Sequence, residues 1–501
     1  MSMEPPPATD AGHRPSLRSS LLSNWVSLGG LVVASGSLFS FLLLFALDAL
    51  APSGNPYIGV LAYLISPAFL ILGFGLMGFG LVLIRRQRRR LAVTTRQPLL
   101  LVDLSRPRDR RNLLILITLG ACFLLLTAIG SYRSYHFTES VTFCGQACHQ
   151  VMKPEHTTYL HSPHARVSCS ECHIGPGATW YVKAKISGLY QVYATLFDKY
   201  PRPIRTPISN LRPAQETCER CHWPQKFVGN LDRTYAHYLT DRTNTSYSVR
   251  LLLKVGGGDP THGPVSGIHW HMSVANKVEY IATDAQHQVI PWVRMTNPQG
   301  VVTEYRTKEF TNDPAKLVIR TMDCMDCHNR PSHIFQTPNE AVDLALQLGR
   351  LDTNLAFIKK EAVAVLTQPY STEEVALQGI ATTLHSKYSA VPPSELEATI
   401  AVVQQIYTNN FFPEMKADWR VYPRNIGHKD WAGCFRCHDG QHKSADGKQA
   451  INANDCKSCH VILAERRGAE LEQVGPQGLQ FKHPEEGWEG MKCSDCHTGG
   501  N

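Results

Sequence analysis

The chain has 501 residues, enough for several domains, with fifteen cysteines, twenty-two histidines and a formal net charge of +8. Ten arginines and two aspartates between Arg85 and Arg111 account for the whole charge excess, and the remainder carries forty basic and forty acidic residues. No basic face is left to track a phosphate backbone, which argues against a nucleic-acid partner.

Residues 1–24 are rich in Pro and Ser and read as a disordered tail. Three apolar runs follow, at 25–47, 57–84 and 113–132, each long enough to cross the hydrocarbon core as a helix. One such run is compatible with a buried soluble helix; three in succession with almost no internal charge point to a bilayer. The loop R-R-Q-R-R-R…R-P-R-D-R-R between the second and third runs is cytoplasmic by the positive-inside rule. Everything after 132 then lies outside the cytoplasm. Ala49-Leu50-Ala51 offers a signal-peptidase site, but the first run is too long for an ordinary signal core, which favours a retained anchor.

Beyond the third run the cysteines begin. C-G-Q-A-C-H occupies 144–149 (Cys144, Cys148, His149), C-S-E-C-H 169–173 (Cys169, Cys172, His173) and C-E-R-C-H 218–222 (Cys218, Cys221, His222). The pattern returns with Cys324, Cys327, His328; Cys434, Cys437, His438; Cys456, Cys459, His460; and Cys493, Cys496, His497. C-x-x-C-H is the haem c attachment signature, in which two thiols bond one porphyrin and the adjacent histidine takes its iron. Chance would supply roughly 0.02 such pentapeptides at this composition. A disulfide framework does not place a histidine after every pair, and zinc knuckles need second ligand pairs that do not recur here. Seven covalent haems follow, the first on an irregular C-x3-C-H. The remaining cysteine, Cys122, lies in an apolar run and reads as a small hydrophobe.

Between the second and third motifs runs I-G-P-G-A-T-W-Y-V-K-A-K-I-S-G-L-Y-Q-V-Y-A-T-L-F, apolar and aromatic at helical spacing. Trp180, Tyr181, Tyr190, Tyr193 and Phe197 suit a bilayer interface or a porphyrin face, and Lys183 and Lys185 can reach headgroups or a ligand. This block, with P-R-P-I-R-T-P-I-S-N-L-R-P-A and T-C-E-R-C-H-W-P-Q-K-F, resembles the NapC/NirT membrane-anchored multihaem quinol dehydrogenases over about 143–227. The whole chain is similar to the ImcH-type inner-membrane cytochromes of metal-reducing bacteria. The resemblance implies quinol oxidation at the membrane face, with electrons passed outward through c haems. It also implies a ligand role for His164 in S-P-H-A, and for Met152 at the first haem, where some members use a methionine. Two departures stand: the ordinary NapC/NirT member has one anchor helix and four haems, and its motifs lack the extra spacer.

From 231 to 323 there are no cysteines. V-R-L-L-L-K-V, I-H-W-H-M-S-V-A, K-V-E-Y-I-A-T, V-I-P-W-V-R-M and V-V-T-E-Y-R-T read as short strands of a small antiparallel unit. Strand alternation puts His269 and His271 on one face, opposite Trp270, as either surface residues or a source of one haem ligand. A helical segment from 337 to 419 carries three capping-box patterns, Thr337/Glu340, Ser371/Glu374 and Ser394/Glu397. The tail from 424 packs three motifs into little sequence, so porphyrins must fill its interior.

The expected architecture is a multi-pass membrane protein: three N-terminal transmembrane helices plus a multihaem cytochrome c domain, mostly α and irregular, with an antiparallel β insertion. Its parts are 1–135, 136–230, 231–323, 324–423 and 424–501. Low-spin haems need a second strong axial ligand. Position near a motif selects His333, His428, His442 and His483, to which the resemblance adds His164 and Met152, with His156, His161, His237 and His269 or His271 competing. Lys183 and Lys185 are candidates to orient a quinol oxygen. The function expected is transfer of electrons from the membrane quinol pool through the haems to periplasmic c-type cytochromes or a reductase. A terminal reductase acting on nitrite, hydroxylamine or a metal, and an electron-wire subunit of a larger complex, are the alternatives.

Overall fold

The computed structural model describes residues 24–50, 65–91, 104–115, 117–118, 121, 136 and 139–500, apart from 148, 209–210, 258–265, 273–275, 452–455, 484–485 and 488–490. The chain divides into two compact units, 1–143 with 174–187, and 144–173 with 188–501.

In the first unit, α1 (Trp25–Leu50) and α2 (Ser66–Leu91) are, among the described residues, the two helices long and apolar enough to cross a membrane. Residues 57–64 of the second expected span, and most of the third at 113–132, lie outside the described residues. Small residues form the contact between α1 and α2. A Cβ added at Gly30 would stand 2.7 Å from the Gly73 carbonyl, and one at Gly73 would stand 2.6 Å from the Ala34 nitrogen. Lipid offers no hydrophobic drive for apolar helices to associate, so close backbone approach of this kind holds them together. Asn24 caps α1 by accepting the Ser27 N–H at 2.6 Å, and its amide donates to the Gly80 carbonyl at 3.1 Å. Phe39, Leu42, Ile71, Phe74 and Phe79 are exposed, as lipid-facing side chains would be.

The second unit holds every haem motif. α3 (His149–Leu160) follows the first motif, and α4 (Ala178–Leu196) starts in the first unit and ends in the second. Two antiparallel sheets come next. β1 (Leu231–Tyr238) and β2 (Ser246–Leu253) pair with β8 (His460–Arg467) and β9 (Gln473–Leu479), in the order β1-β2-β8-β9. β3 (Lys277–Ile281), β4 (Trp292–Thr296), β5 (Val302–Arg306), β6 (Arg320–Thr321) and β7 (Lys443–Ser444) form the other sheet, in the order β6-β3-β4-β5-β7. Neither sheet is closed within 231–323: the tail beyond 424 supplies β7, β8 and β9. I-H-W-H-M is no strand but a 3-10 turn, Ile268–Met272.

The largest core belongs to four helices, α5 (Pro338–Gln347), α6 (Ile358–Leu366), α7 (Glu373–Lys387) and α8 (Pro393–Asn410). Val342, Ile358, Ala362, Leu366, Ala376, Ile380, Leu384 and Val403 are all fully buried there. Thr337 and Glu340 form the expected capping box, with Pro338 at the first helical position. The other two patterns fail. α7 is capped by Thr372, whose hydroxyl accepts from the Val375 N–H, one residue past Ser371. α8 starts at Pro393, so Ser394 is already inside it.

Candidate haem sites

Five of the motifs are single helical turns that set their chemistry by backbone geometry. Residues i, i+3 and i+4 share a helix face, so the turn points both cysteines and the histidine the same way. The motif-histidine N–H closes on the first cysteine's carbonyl at 2.8 Å in 218–222, 324–328 and 493–497, and at 3.1 Å in 434–438. At 324–327 the turn carries its own capping box: Asp323 accepts from Met325 and Asp326 accepts from the Asp323 N–H, each at 2.7 Å. The irregular first motif is different. Phe143–Ala147 is a π-helix, whose wider i→i+5 turn absorbs the extra spacer residue. Gly145 lies against the ring of His156, where a Cβ would collide with the imidazole. Cys148 lies outside the described residues.

A second histidine faces the motif histidine at six of the seven sites. Ring centroids stand 6.3 Å apart for His173 and His333, 6.1 Å for His222 and His164, and 6.4 Å for His328 and His269. They stand 5.9 Å apart for His438 and His271, 6.2 Å for His460 and His428, and 5.8 Å for His497 and His483. With metal–nitrogen bonds of about 2.0–2.1 Å and about 1.1 Å from nitrogen to ring centre, two trans imidazoles hold their centroids about 6.3 Å apart. Rings in direct contact sit closer, as His428 does to Phe435 at 4.4 Å. The spacing therefore fits an iron between each pair.

The facing histidines are also aimed. Nδ1–H donates to a backbone carbonyl in four of them: His164 to Pro331 at 3.1 Å, His269 to Val255 at 3.1 Å, His271 to Ile268 at 2.9 Å and His333 to Glu155 at 2.9 Å. That bond fixes the tautomer and leaves the Nε2 lone pair for a metal. Glu155 of α3 also binds Arg330 at 3.1 Å, so the helix after the first motif orients the histidine facing the second. Burial holds the imidazoles of His173, His269, His271, His328, His333, His428 and His460 below the usual histidine range, which keeps them neutral.

Among the described residues, five buried polar atoms lack a partner: Arg424 Nε, His428 Nδ1, Asp430 Oδ1, His460 Nδ1 and Glu465 Oε1. All lie between 424 and 465, around the fifth and sixth motifs. Each would cost about 1–3 kcal/mol if left unmet. The three nitrogens, Arg424 Nε, His428 Nδ1 and His460 Nδ1, suit the carboxylates of a bulky prosthetic group, whereas the Asp430 and Glu465 oxygens need donors.

Not every expected residue is brought to a motif. His442 is fully buried, with Nδ1 at 3.0 Å from Asp439 and Nε2 donating to the Ile290 carbonyl at 2.7 Å. Both nitrogens have protein partners here, and the bond to Ile290 fastens the tail to the segment just before β4. His237 pairs with Asp343 at 3.1 Å, and His161 is exposed and bonds Thr157 at 2.8 Å. Met152 is half-buried on α3, three residues after His149. Lys183 lies over the Trp180 ring at 4.6 Å. Lys185 lies over Tyr181 at 5.0 Å and forms an ion pair with Glu139 at 2.5 Å. Burial and Glu139 push the Tyr181 hydroxyl up to about 12. The sequence reading missed Glu139, which carries no motif.

These features define a membrane-anchored multihaem c-type cytochrome, and the chain belongs to the NapC/NirT cytochrome c family, whose N-terminal region matches residues 106–206. It carries covalently bound haem c and serves electron transfer. It is 41% identical over 492 residues to "Cytochrome c-type protein ImcH" of Geobacter sulfurreducens, covering 95% of each chain. No solved structure matches it.

Proposed function

We propose that the protein is a quinol dehydrogenase that passes electrons through seven c haems to periplasmic cytochromes. Six haems would each be held by two histidines, among them His333 opposite His173, His164 opposite His222, His428 opposite His460 and His483 opposite His497. The observation that carries the reading is the set of six imidazole pairs at the spacing an iron requires. Haem supplies one-electron exchange without bond making. Two histidines holding one haem would leave its iron no open position for a substrate, which favours electron transfer and speaks against a terminal reductase at those six sites.

At the first site, His149 and Met152 share one face of α3 at i, i+3. His156, against Gly145, is the histidine left beside that motif.

Oxidising a quinol releases two electrons and two protons, so the site needs a base as well as a haem. Glu139 and Lys185 serve the substrate: the carboxylate takes one proton, the second leaves to water, and the ammonium orients the quinol oxygen while the electrons pass to the haem one at a time. Lys183 gives a second positive charge along the same helix. A third span at 113–132, and an Arg-rich loop on the cytoplasmic side, put these groups at the outer membrane–water boundary. In the purified protein, a menaquinol analogue should reduce the haems rapidly, and Lys185→Met or Glu139→Gln should slow reduction at least tenfold while dithionite still reduces every haem. Undiminished rates in both variants would move the quinol site elsewhere.

A further inference from the structure

We propose that the 3-10 turn Ile268–Met272 is a clamp on two haems: His269 ligates the iron of the haem on Cys324 and Cys327, and His271 that of the haem on Cys434 and Cys437. The cysteine-free insertion thereby ties the fourth haem motif to the fifth. This rests on the haem reading above and extends it to a ligand set that the sequence pattern hides.

The spacing is the first argument. His269 stands 6.4 Å from His328 and His271 stands 5.9 Å from His438, both near the distance a shared iron imposes. The second is direction. On a strand, residues two apart share a face and would serve one haem; at about three residues per turn they diverge by about 120°. The third is rigidity. The His269 N–H donates to the Val255 carbonyl at 3.0 Å and the Ile268 N–H to the Lys254 carbonyl at 2.8 Å. Lys254 in turn donates to the Cys459 carbonyl of the sixth motif at 2.8 Å. Gly257, at φ +90°, passes beneath His269, where a Cβ would stand 2.5 Å from the His269 Cβ. Trp270 packs with Cys437 on the sheet face formed by Val278, Tyr280 and Val293. One short turn is thus pinned to both sheets and to three motifs.

The ring planes separate the two sites spectroscopically. His269 and His328 are nearly parallel at 2°, and His271 and His438 nearly perpendicular at 88°. Parallel imidazoles give a rhombic low-spin ferric signal, and perpendicular ones a strongly anisotropic signal.

His269→Ala and His271→Ala are made in the full-length haem-loaded protein. Intact mass and haem quantification come first: seven haems in the wild type keep the haem reading, and fewer would overturn that reading separately. Electron paramagnetic resonance should then show one low-spin haem converted to high-spin in each variant. His269→Ala should lose a rhombic signal and His271→Ala a strongly anisotropic one, each restored by added imidazole. Retention of every low-spin signal in either variant, or loss of the same signal in both, overturns the clamp. If the alanine variants do not accumulate, His271→Met keeps a ligand and should raise the potential of one haem only; seven unchanged potentials refute the assignment.

Discussion

The helical segment α5–α8 and the tail from 424 lie in one compact unit, yet different forces hold them. The helices bury aliphatic side chains against one another, with Val342, Ile358, Leu366, Ile380 and Leu384 wholly removed from water. Each such side chain is worth about 1.5–3 kcal/mol, so this segment has the means to fold on packing alone. The tail has little of this kind: Ile462 and Ala464 of β8 are its buried hydrophobics among the described residues, and five buried polar atoms without partners cluster at 424–465. Strand pairing with β2 and β5 holds it, and on the haem reading proposed above its cofactors would supply the rest. The contrast is between a region folded by its own packing and one that would be folded by its cofactors.

The largest expected effect tests that contrast directly. Cys456→Ser with Cys459→Ser removes the sixth haem, and the mass should fall by one haem. Limited proteolysis should then cut readily within 424–501 while 338–410 stays intact. A resistant tail would show that β8 and β9 hold without their porphyrin, and the contrast would break.

A second test probes the buried charges inside the helical core. Lys359 is 2% exposed and bonds Asp343, and its ammonium also donates to the Asn339 carbonyl at 3.1 Å. Asp343 holds His237 and the Tyr238 N–H of β1 at 3.1 Å each, which ties the helices to the first sheet. Lys359→Met strands the carboxylate and should cost about 3–5 kcal/mol in denaturant unfolding. Adding Asp343→Asn should recover part of it. A loss of haem absorbance at the same denaturant concentration would mean that the two regions unfold together.

A smaller effect belongs to the cap of α5. Thr337→Ala removes the hydroxyl that accepts from the Glu340 N–H at 3.2 Å and should cost about 1 kcal/mol. It should leave every haem spectrum unchanged.

What could be read in advance follows the same division. Haem attachment is local chemistry: two thiols and an imidazole on one turn need five consecutive residues, and the pattern shows in the sequence. The capping box at Thr337 was legible for the same reason. Which histidine faces a motif histidine is set by the fold; proximity along the chain picked out His333, His428 and His483, and the resemblance His164, all of which do face one. Proximity also selected His442, which instead bonds Asp439 and Ile290. It set His269 and His271 on one strand face, because alternation of apolar residues does not distinguish a strand from a 3-10 turn over five residues. That β7, β8 and β9 of the tail complete sheets begun by β1–β6 was equally hidden, since strand pairing leaves no mark on either partner alone.

The smallest prediction returns to the tail. Glu465 on β8 is 7% exposed, and Oε1 lacks a partner among the described residues. Burial holds its carboxyl above the usual range, opposed by the backbone and charge of Lys482. A raised carboxyl favours the protonated form in the folded state. Its contribution is therefore fully present below the unfolded value of about 4.3 and lost as pH rises through the folded value. At neutral pH the tail carries a buried carboxylate that Glu465→Gln would neutralise. The variant should melt higher than the wild type at pH 7 and equally at pH 4, followed by the unfolding of the tail alone. An advantage of the same size at both pH values would assign the effect to shape and not to charge. A disadvantage at pH 7 would mean that the carboxylate is paired in the haem-loaded protein, and the tail would then be more completely satisfied by its cofactors than its side chains suggest.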